Sequence, residues 1–261
     1  MCDTCGCSSK SSVSMQVVGA QADTDNEEHV KPHTVNVVEH DKRMHLSEAL
    51  LSANDHVAEH NREHFQRQGI LALNLVSAPG SGKTTLLEST LTALRNDVPC
   101  AVIEGDQATL NDAQRIRATG APVVQVNTGA GCHLEANMVH DACHQLTLED
   151  DSILFIENVG NLVCPSLFDL GEALKVAIIS VTEGDDKPIK YPHMFRASDY
   201  VIINKCDLLP YVNFSVEACR EHIAALNPEA DIIELTATDP ESLQPWIDKL
   251  RQLKSSVSPM K

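Results

Sequence analysis

Two features of this chain have residue types and spacings that could do chemistry: a glycine-rich stretch built for phosphates, and nine cysteines that offer soft metal ligands. The stretch Ser77 to Thr85 reads SAPGSGKTT. Its end, Gly82-Lys83-Thr84, matches the P-loop signature. In that motif the backbone amides of a loop such as Gly80, Ser81, Gly82, Lys83, Thr84 and Thr85 cradle phosphates at a helix N-terminus. The lysine reaches the outer phosphates and the Thr84 hydroxyl ligates Mg²⁺. Ser77 stands where the signature has its first glycine, which would crowd the turn, while Gly80 leaves the loop its freedom. Among the cysteines, Cys2, Cys5 and Cys7 fall within seven residues and form a compact three-thiolate cluster, with Gly6 allowing the tight turn. Thiolates of this kind suit Zn²⁺ or Cu(I), and Ni²⁺ if the donors lie in a plane.

Further along, Asn204-Lys205-Cys206-Asp207 resembles the NKxD guanine-recognition motif of GTPases. The Asp207 carboxylate would accept hydrogen bonds from N1 and the 2-amino group of guanine, with the Lys205 stem along the base. Adenine would leave that carboxylate desolvated and unpaired, a mismatch that discriminates by about 10⁴ or more. Thr236-Ala237 lies where GTPases place a second base-contacting loop. Between these motifs, Glu104-Gly105-Asp106 and Glu157-Asn158-Val159-Gly160 each end an aliphatic run. The second resembles the DxxG switch with glutamate for aspartate. Asp106 and Glu157 could hold Mg²⁺ directly or through water, and the Gly160 amide could bond a γ-phosphate. No glutamine stands out to position water and no arginine finger is evident, so slow hydrolysis is expected.

These residues need a scaffold, and the hydrophobic pattern supplies one. From Ile70 onward short aliphatic runs (ILALNLV, CAVIE, PVVQV, SILFIE, KVAIISV, YVIIN, ADIIEL) alternate with helical segments, among them 83–95, 111–118 and 133–148. Runs without apolar/polar alternation are buried on both faces, as in a parallel sheet between helices. The fold class is therefore α/β: doubly wound, mostly parallel, with a P-loop. Residues 44–69 read as an amphipathic helix on Leu46, Leu50, Ala53, Val57 and Phe65, with Ser47 as a possible cap and Gly69 as the stop. Residues 1–43 read as a cysteine-containing metal-binding tail and flexible linker, and 70–261 as the nucleotide-binding domain.

Composition narrows the function classes. Of 261 residues, 37 are acidic and 20 basic, a net charge of −17, and 3% are aromatic. That balance disfavours nucleic acid and anionic membranes as partners, and few rings are present for stacking on bases. No apolar run is long enough to span a membrane, and no secretory signal precedes the cysteines. A cytoplasmic, reducing setting is expected, where clustered thiols bind metal.

Taken together, MCDTCGC, NLVSAPGSGKTTLLE, VIEGDQ, GAGCHLEANMV, FIENVGNLVCP, EGDDKPIKYP and NKCDL resemble the HypB family of nickel-insertion GTPases in the SIMIBI class, in the family's order and over most of residues 44–250. The resemblance implies GTP hydrolysis to GDP and phosphate, and nickel delivery during [NiFe]-hydrogenase maturation. It implies a tight nickel site at Cys2, Cys5 and Cys7, and a nickel or zinc site formed by Cys132, His133 and Cys164 at a GTP-favoured homodimer interface. It also implies a HypA-type nickel chaperone and the hydrogenase large subunit as partners. On its own a Cys-His dipeptide opening a helix is poor evidence, because neighbouring helical side chains diverge. Cys164 lies four residues beyond Gly160, so a switch drawn to a γ-phosphate would move a metal ligand. Cys100, Cys143, Cys206 and Cys219 read as packing residues. His29, His33, His40 and His45 also precede the nucleotide domain. His56, His60 and His64, spaced i, i+4, i+8, read as a solvated helix face able to chelate. A related GTPase serving urease, a metal buffer with a vestigial GTPase, and a P-loop small-molecule kinase are the competing readings; NKCD disfavours the last.

Overall fold

The structure, a computed structural model, describes residues 37–106, 111–129, 131–146 and 148–257, with side chains from residue 49 onward except that of Asn111. Cys2, Cys5, Cys7, His29 and His33 lie outside the described residues. Along the chain run α1 (Val37–Arg67), β1 (Leu71–Ser77), α2 (Lys83–Leu94), β2 (Cys100–Asp106), α3 (Asn111–Ala118), β3 (Val123–Asn127), α4 (Ala136–Cys143) and β4 (Ile153–Glu157). They continue with β5 (Leu174–Ser180), α5 (Lys187–Lys190), α6 (Pro192–Arg196), β6 (Tyr200–Asn204), α7 (Val216–Leu226), β7 (Asp231–Glu234) and α8 (Pro240–Ser256). The seven strands form one sheet in the order β3-β2-β4-β1-β5-β6-β7, and every pairing is parallel.

Each expected aliphatic run became a strand; in the central strands Leu73, Val102, Phe155, Ile178 and Ile202 are buried on one face of the sheet and Ala72, Ile103, Ile156, Ile179 and Ile203 on the other. From β1 the chain winds out to β3, returns through β4 and then winds the other way through β5 to β7. Ligands of such sheets sit beyond the carboxyl ends of the strands where the winding reverses, here at β1 and its neighbours. Register refines this. Glu104 of β2 pairs with Glu157 of β4, and Leu75 of β1 pairs with Glu157, so two buried acids stand side by side next to the loop that follows β1.

Two expectations about helices are corrected. The first helix starts at Val37, not 44, so Ser47 lies inside it and not at its start. No glycine or proline occurs between Pro32 and Gly69, and nothing in the sequence stops the helix sooner. Its packed face differs in part: Phe65 is buried as expected, but Leu50 is 50% exposed and Ala53 is exposed, while Asn54, Ala58 and Asn61 are buried. The asparagines serve backbone groups of the domain. Asn54 accepts from Ala136 N at 2.8 Å, capping α4, and donates to Asp169 O at 2.8 Å. Asn61 donates to Ala136 O at 2.9 Å and Leu170 O at 3.0 Å. Gly171, at φ +87°, admits this close approach; a Cβ there would sit 2.5 Å from Ala58 O.

The second correction concerns 133–148. The helix is shorter, Ala136–Cys143, and Glu135 is its extended N-cap at φ −111°, ψ 158°. Cys132 and His133 therefore lie in the turn before the helix, where adjacent side chains can converge.

Replacing Asn61 by Ala strips the buried Leu170 carbonyl of its side-chain donor and removes the second tie to the Ala136 carbonyl at the start of α4. The expected loss is about 1–3 kcal/mol of unfolding free energy, read as a lower urea midpoint with unchanged slope.

Candidate functional site

At the carboxyl ends of β1, β2 and β4 lies a cleft of about 560 Å³ lined by 77–85, Glu104, Gly105, Asp106, Asp112, Arg115, Glu157, Val159, Gly160 and Lys205. Ser77 is the buried last residue of β1, its hydroxyl donating to Ala78 O at 2.9 Å, so it stands ahead of the turn and does not crowd it. The turn itself runs through Gly80 at φ +81° and Gly82 at φ +91°. Gly82 cannot be replaced: a Cβ would lie 2.6 Å from Asn204 Nδ2. Lys83 and Thr84 open α2 with their amides at the cleft.

The acids and Lys83 form one buried group. Glu157 Oε1 accepts from Thr84 Oγ1 at 2.7 Å and lies 3.6 Å from Lys83 Nζ. Burial pushes the Glu157 carboxyl up, partly offset by Lys83 and Thr84. Burial, with Glu157 and Asp106 as like charges, pushes Glu104 up to about 8. Glu104 Oε2 and Glu157 Oε2 are buried with no hydrogen-bond partner. Orphaned carboxylate oxygens beside a threonine hydroxyl are hard oxygen donors and fit a cation such as Mg²⁺. Asp106 ends β2 at the same cleft.

The second motif is tied to the first. Asn204 donates to Ser81 O at 2.9 Å and Lys205 Nζ donates to Gly80 O at 2.7 Å, so NKCD braces the phosphate loop from behind. Asp207, exposed beyond it, accepts from Thr236 Oγ1 at 3.1 Å, and its own amide donates to the same oxygen at 3.1 Å. Ala237 N donates to Asn204 Oδ1 at 3.1 Å. Thr236 and Ala237 thus hold the aspartate and asparagine of the motif in place.

A separate cluster brings together Cys132, His133 and Cys164, whose ligand atoms lie within 4.8 Å of one another. The two Sγ atoms are 2.7 Å apart, too far for the roughly 2.05 Å of a disulfide, and Cys132 Sγ is 3.7 Å from His133 Nδ1. His133 is buried and stacks on Phe168 with centroids 3.9 Å apart. Burial lowers its pKa and keeps the ring neutral, the form that binds metal. Its Nε2 is buried without a hydrogen-bond partner, 3.9 Å from Glu135 Oε1. Two thiols and an imidazole are the donor set of borderline-soft metals. By contrast Cys100, Cys143 and Cys219 pack into or against the hydrophobic clusters, burial raising each thiol to about 12, and Cys206 packs beside them.

One residue joins the cleft to this cluster. Asn158 O accepts from Lys83 Nζ, and Asn158 Oδ1 accepts from Leu134 N, next to His133, at 3.0 Å. From its amide a buried chain continues: Asn158 Nδ2 to Asn74 Oδ1 at 3.2 Å, Asn74 Nδ2 to Glu172 Oε1 at 3.0 Å, and Glu172 to Lys175 at 3.2 Å. Lys175 Nζ then donates to Pro165 O at 3.0 Å and Phe168 O at 3.3 Å, holding the loop that carries Cys164.

A family model described as the CobW/HypB/UreG nucleotide-binding domain matches residues 71–234, and the HypB hydrogenase maturation factor of Escherichia coli K12 is 60% identical over 201 residues, covering 77% of this chain and 69% of that protein. The chain belongs to the HypB family. The Helicobacter pylori J99 relative, a hydrogenase/urease maturation factor HypB, is 43% identical, covering 82% of this chain and 89% of that protein. Two crystal structures of HypB proteins superpose on the fold. The one from Helicobacter pylori in complex with nickel has a TM-score of 0.75 at 42% identity, covering 80% of this chain and 99% of that one. The one from Archaeoglobus fulgidus has a TM-score of 0.73 at 40% identity, covering 78% and 100%. Among the described residues no helix is long and apolar enough to cross a membrane.

Sequence reasoning within this HypB chain did not single out Glu104, Asp112, Arg115 or the Asn158 chain. Glu104 was legible by period: two residues before Asp106 on one strand, it points to the same face. Asn74, a polar residue inside the run ILALNLV, was the other signal. Arg115, on α3, reaches Thr85 Oγ1 at 2.9 Å and pairs with Glu88 and Asp112; its place in the cleft comes from tertiary packing alone.

The geometry predicts that diamide, which takes two hydrogens from a thiol pair, links Cys132 to Cys164 in the metal-free protein. Peptide mass spectrometry should find that crosslink and none from Cys219 or Cys143, and Ni²⁺ added first should prevent it.

Proposed function

We propose that the protein is a GTP-hydrolysing nickel metallochaperone for [NiFe]-hydrogenase maturation. The observation that carries this reading is the Cys132, His133 and Cys164 cluster standing one hydrogen bond from the residue that accepts from Lys83. The names of the HypB relatives and the nickel complex of the Helicobacter pylori protein support the cargo and the pathway.

In this reading the amides of Gly80 to Thr85 and the Lys83 ammonium hold the phosphates of GTP, and Asp207, steadied by Thr236, selects guanine with Lys205 along the base. Thr84, Asp106 and Glu157 would hold Mg²⁺, which would neutralise charge developing on the phosphates. Arg115 supplies the cleft with a further cation. Slow hydrolysis is in keeping with a cleft that no glutamine lines among the described residues. Gly160 senses the γ-phosphate. Its Cα packs on the phosphate loop so tightly that a Cβ would meet Pro79 Cγ at 3.2 Å, and Cys164 follows on the same segment.

A nucleotide that draws Lys83 and the 158–164 segment to its phosphates shifts Asn158, and with it both cysteine loops. Nucleotide state then biases metal affinity, as linkage requires when two ligands prefer different states of one element. Val163 and Leu167, 47% and 44% exposed on either side of buried Cys164, support a GTP-favoured homodimer that closes over the metal. Nickel or zinc fills this site. Cys2, Cys5 and Cys7 form a separate tight nickel site ahead of the first helix and the nucleotide domain. A HypA-type chaperone and the hydrogenase large subunit are the partners, in the cytoplasm. The urease named with hydrogenase in the Helicobacter pylori relative supports a second client enzyme.

Asp207→Asn tests the base assignment. The expected result is loss of GTP turnover and gain of XTP turnover, a swing in kcat/KM preference on the order of 10⁴. Unchanged GTP preference, or no hydrolysis of GTP by the wild-type chain, contradicts the reading.

A further inference from the structure

A second cluster of metal-capable side chains lies on the opposite end of α4. His140 sits in its last turn and His144 follows one turn later. Their Nε2 atoms are 3.2 Å apart, with ring centroids separated by 4.7 Å and planes crossing at 83°. The His140 tautomer is set from behind. Asn61 spends both amide hydrogens on the carbonyls of Ala136 and Leu170, so its Oδ1 faces the ring and can only accept. His140 Nδ1, 3.2 Å away, therefore carries the hydrogen, and the lone pair is on Nε2, the atom that meets His144. An imidazole whose far N–H is held by an amide oxygen and whose near nitrogen is bare is oriented as metal-binding histidines are.

The spacing agrees. Two imidazole nitrogens at 2.0–2.1 Å from one cation, at angles between 90° and 109°, lie about 2.8–3.4 Å apart.

We propose that His140 and His144 form a site for a divalent transition metal of the imidazole-preferring class, Ni²⁺, Cu²⁺ or Zn²⁺, distinct from Cys132, His133 and Cys164. The helix α4 then carries a thiolate site before its first turn and an all-nitrogen site after its last, about 12 Å apart along its axis from Ala136 to His144. The site rests on the histidine geometry and does not depend on nucleotide binding.

The test titrates the full chain with Ni²⁺ alone, without nucleotide, by equilibrium dialysis, while the near-ultraviolet thiolate-to-metal charge-transfer absorption reports the cysteine sites. Wild-type protein should bind one equivalent more than His140→Ala/His144→Ala, with the charge-transfer band per chain unchanged. Equal stoichiometry in wild type and the double variant overturns the site. Independently of any variant, Ni²⁺ should slow diethyl pyrocarbonate acylation of His140 and His144 in the wild-type chain, read by peptide mass; acylation at the metal-free rate also overturns the proposal.

Discussion

Asn158 is buried at the carboxyl end of β4, and each polar atom of the residue is engaged with a different part of the molecule. Its amide donates to Leu75 O on β1, and its carbonyl receives the Lys83 ammonium. Its side-chain oxygen receives Leu134 N and Val159 N, and its side-chain amide continues to Asn74. A buried polar network is worth having only when every member is satisfied, since one lost partner strands the next. Here the chain Asn158, Asn74, Glu172, Lys175 runs from the residue that receives Lys83 to the Cys164 loop without a gap. The loop holding Cys132 and His133 hangs from the same residue. Two sites that would otherwise be neighbours by accident share one rigid linkage.

The charges around that linkage are unequal. Glu104, Glu157 and Asp106 meet at the cleft with Lys83 as the cation between the buried glutamates and the phosphate loop. Burial first, then the like charges of Glu157 and Asp106, pushes Glu104 up to about 8. The same crowding makes the cleft receptive to a hard cation and to the polyphosphate that a cation accompanies. At the metal cluster the logic reverses: burial keeps His133 neutral, and the two sulfurs face each other beside it. Hard oxygen donors lie on one side of Asn158 and soft sulfur and nitrogen donors on the other, sets that prefer different classes of metal.

How much of this was legible in the sequence depends on range. The strands could be read because burial on both faces is written into each run, and the phosphate loop because its residues are consecutive. NKCD was readable for the same reason, though its bracing of Gly80 and Ser81 was not. The Asn158 network could not be read, since Asn74 and Glu172 are 98 residues apart and only the sheet brings them together. The first helix misled in a more specific way. Its leucines suggested an apolar face, but the docked face is Asn54, Ala58, Asn61 and Phe65, chosen by the need to satisfy loop carbonyls and amides, which no periodicity records. Cys132-His133 was taken for the start of a helix; the extended Glu135 delays the helix to Ala136, and that delay lets the two side chains converge on Cys164.

The coupling between the two sites is most directly tested by Ni²⁺ affinity in the GDP state and in the state of a non-hydrolysable GTP analogue, for wild type and Asn158→Ala. The substitution keeps the backbone carbonyl that receives Lys83 and removes only the side-chain bonds to Leu134, Val159 and Asn74. Wild-type protein should show affinities differing between the two nucleotide states by about fivefold or more, and the variant should bind nucleotide and nickel with that ratio reduced to about one. A ratio in Asn158→Ala equal to that of wild type would contradict the coupling.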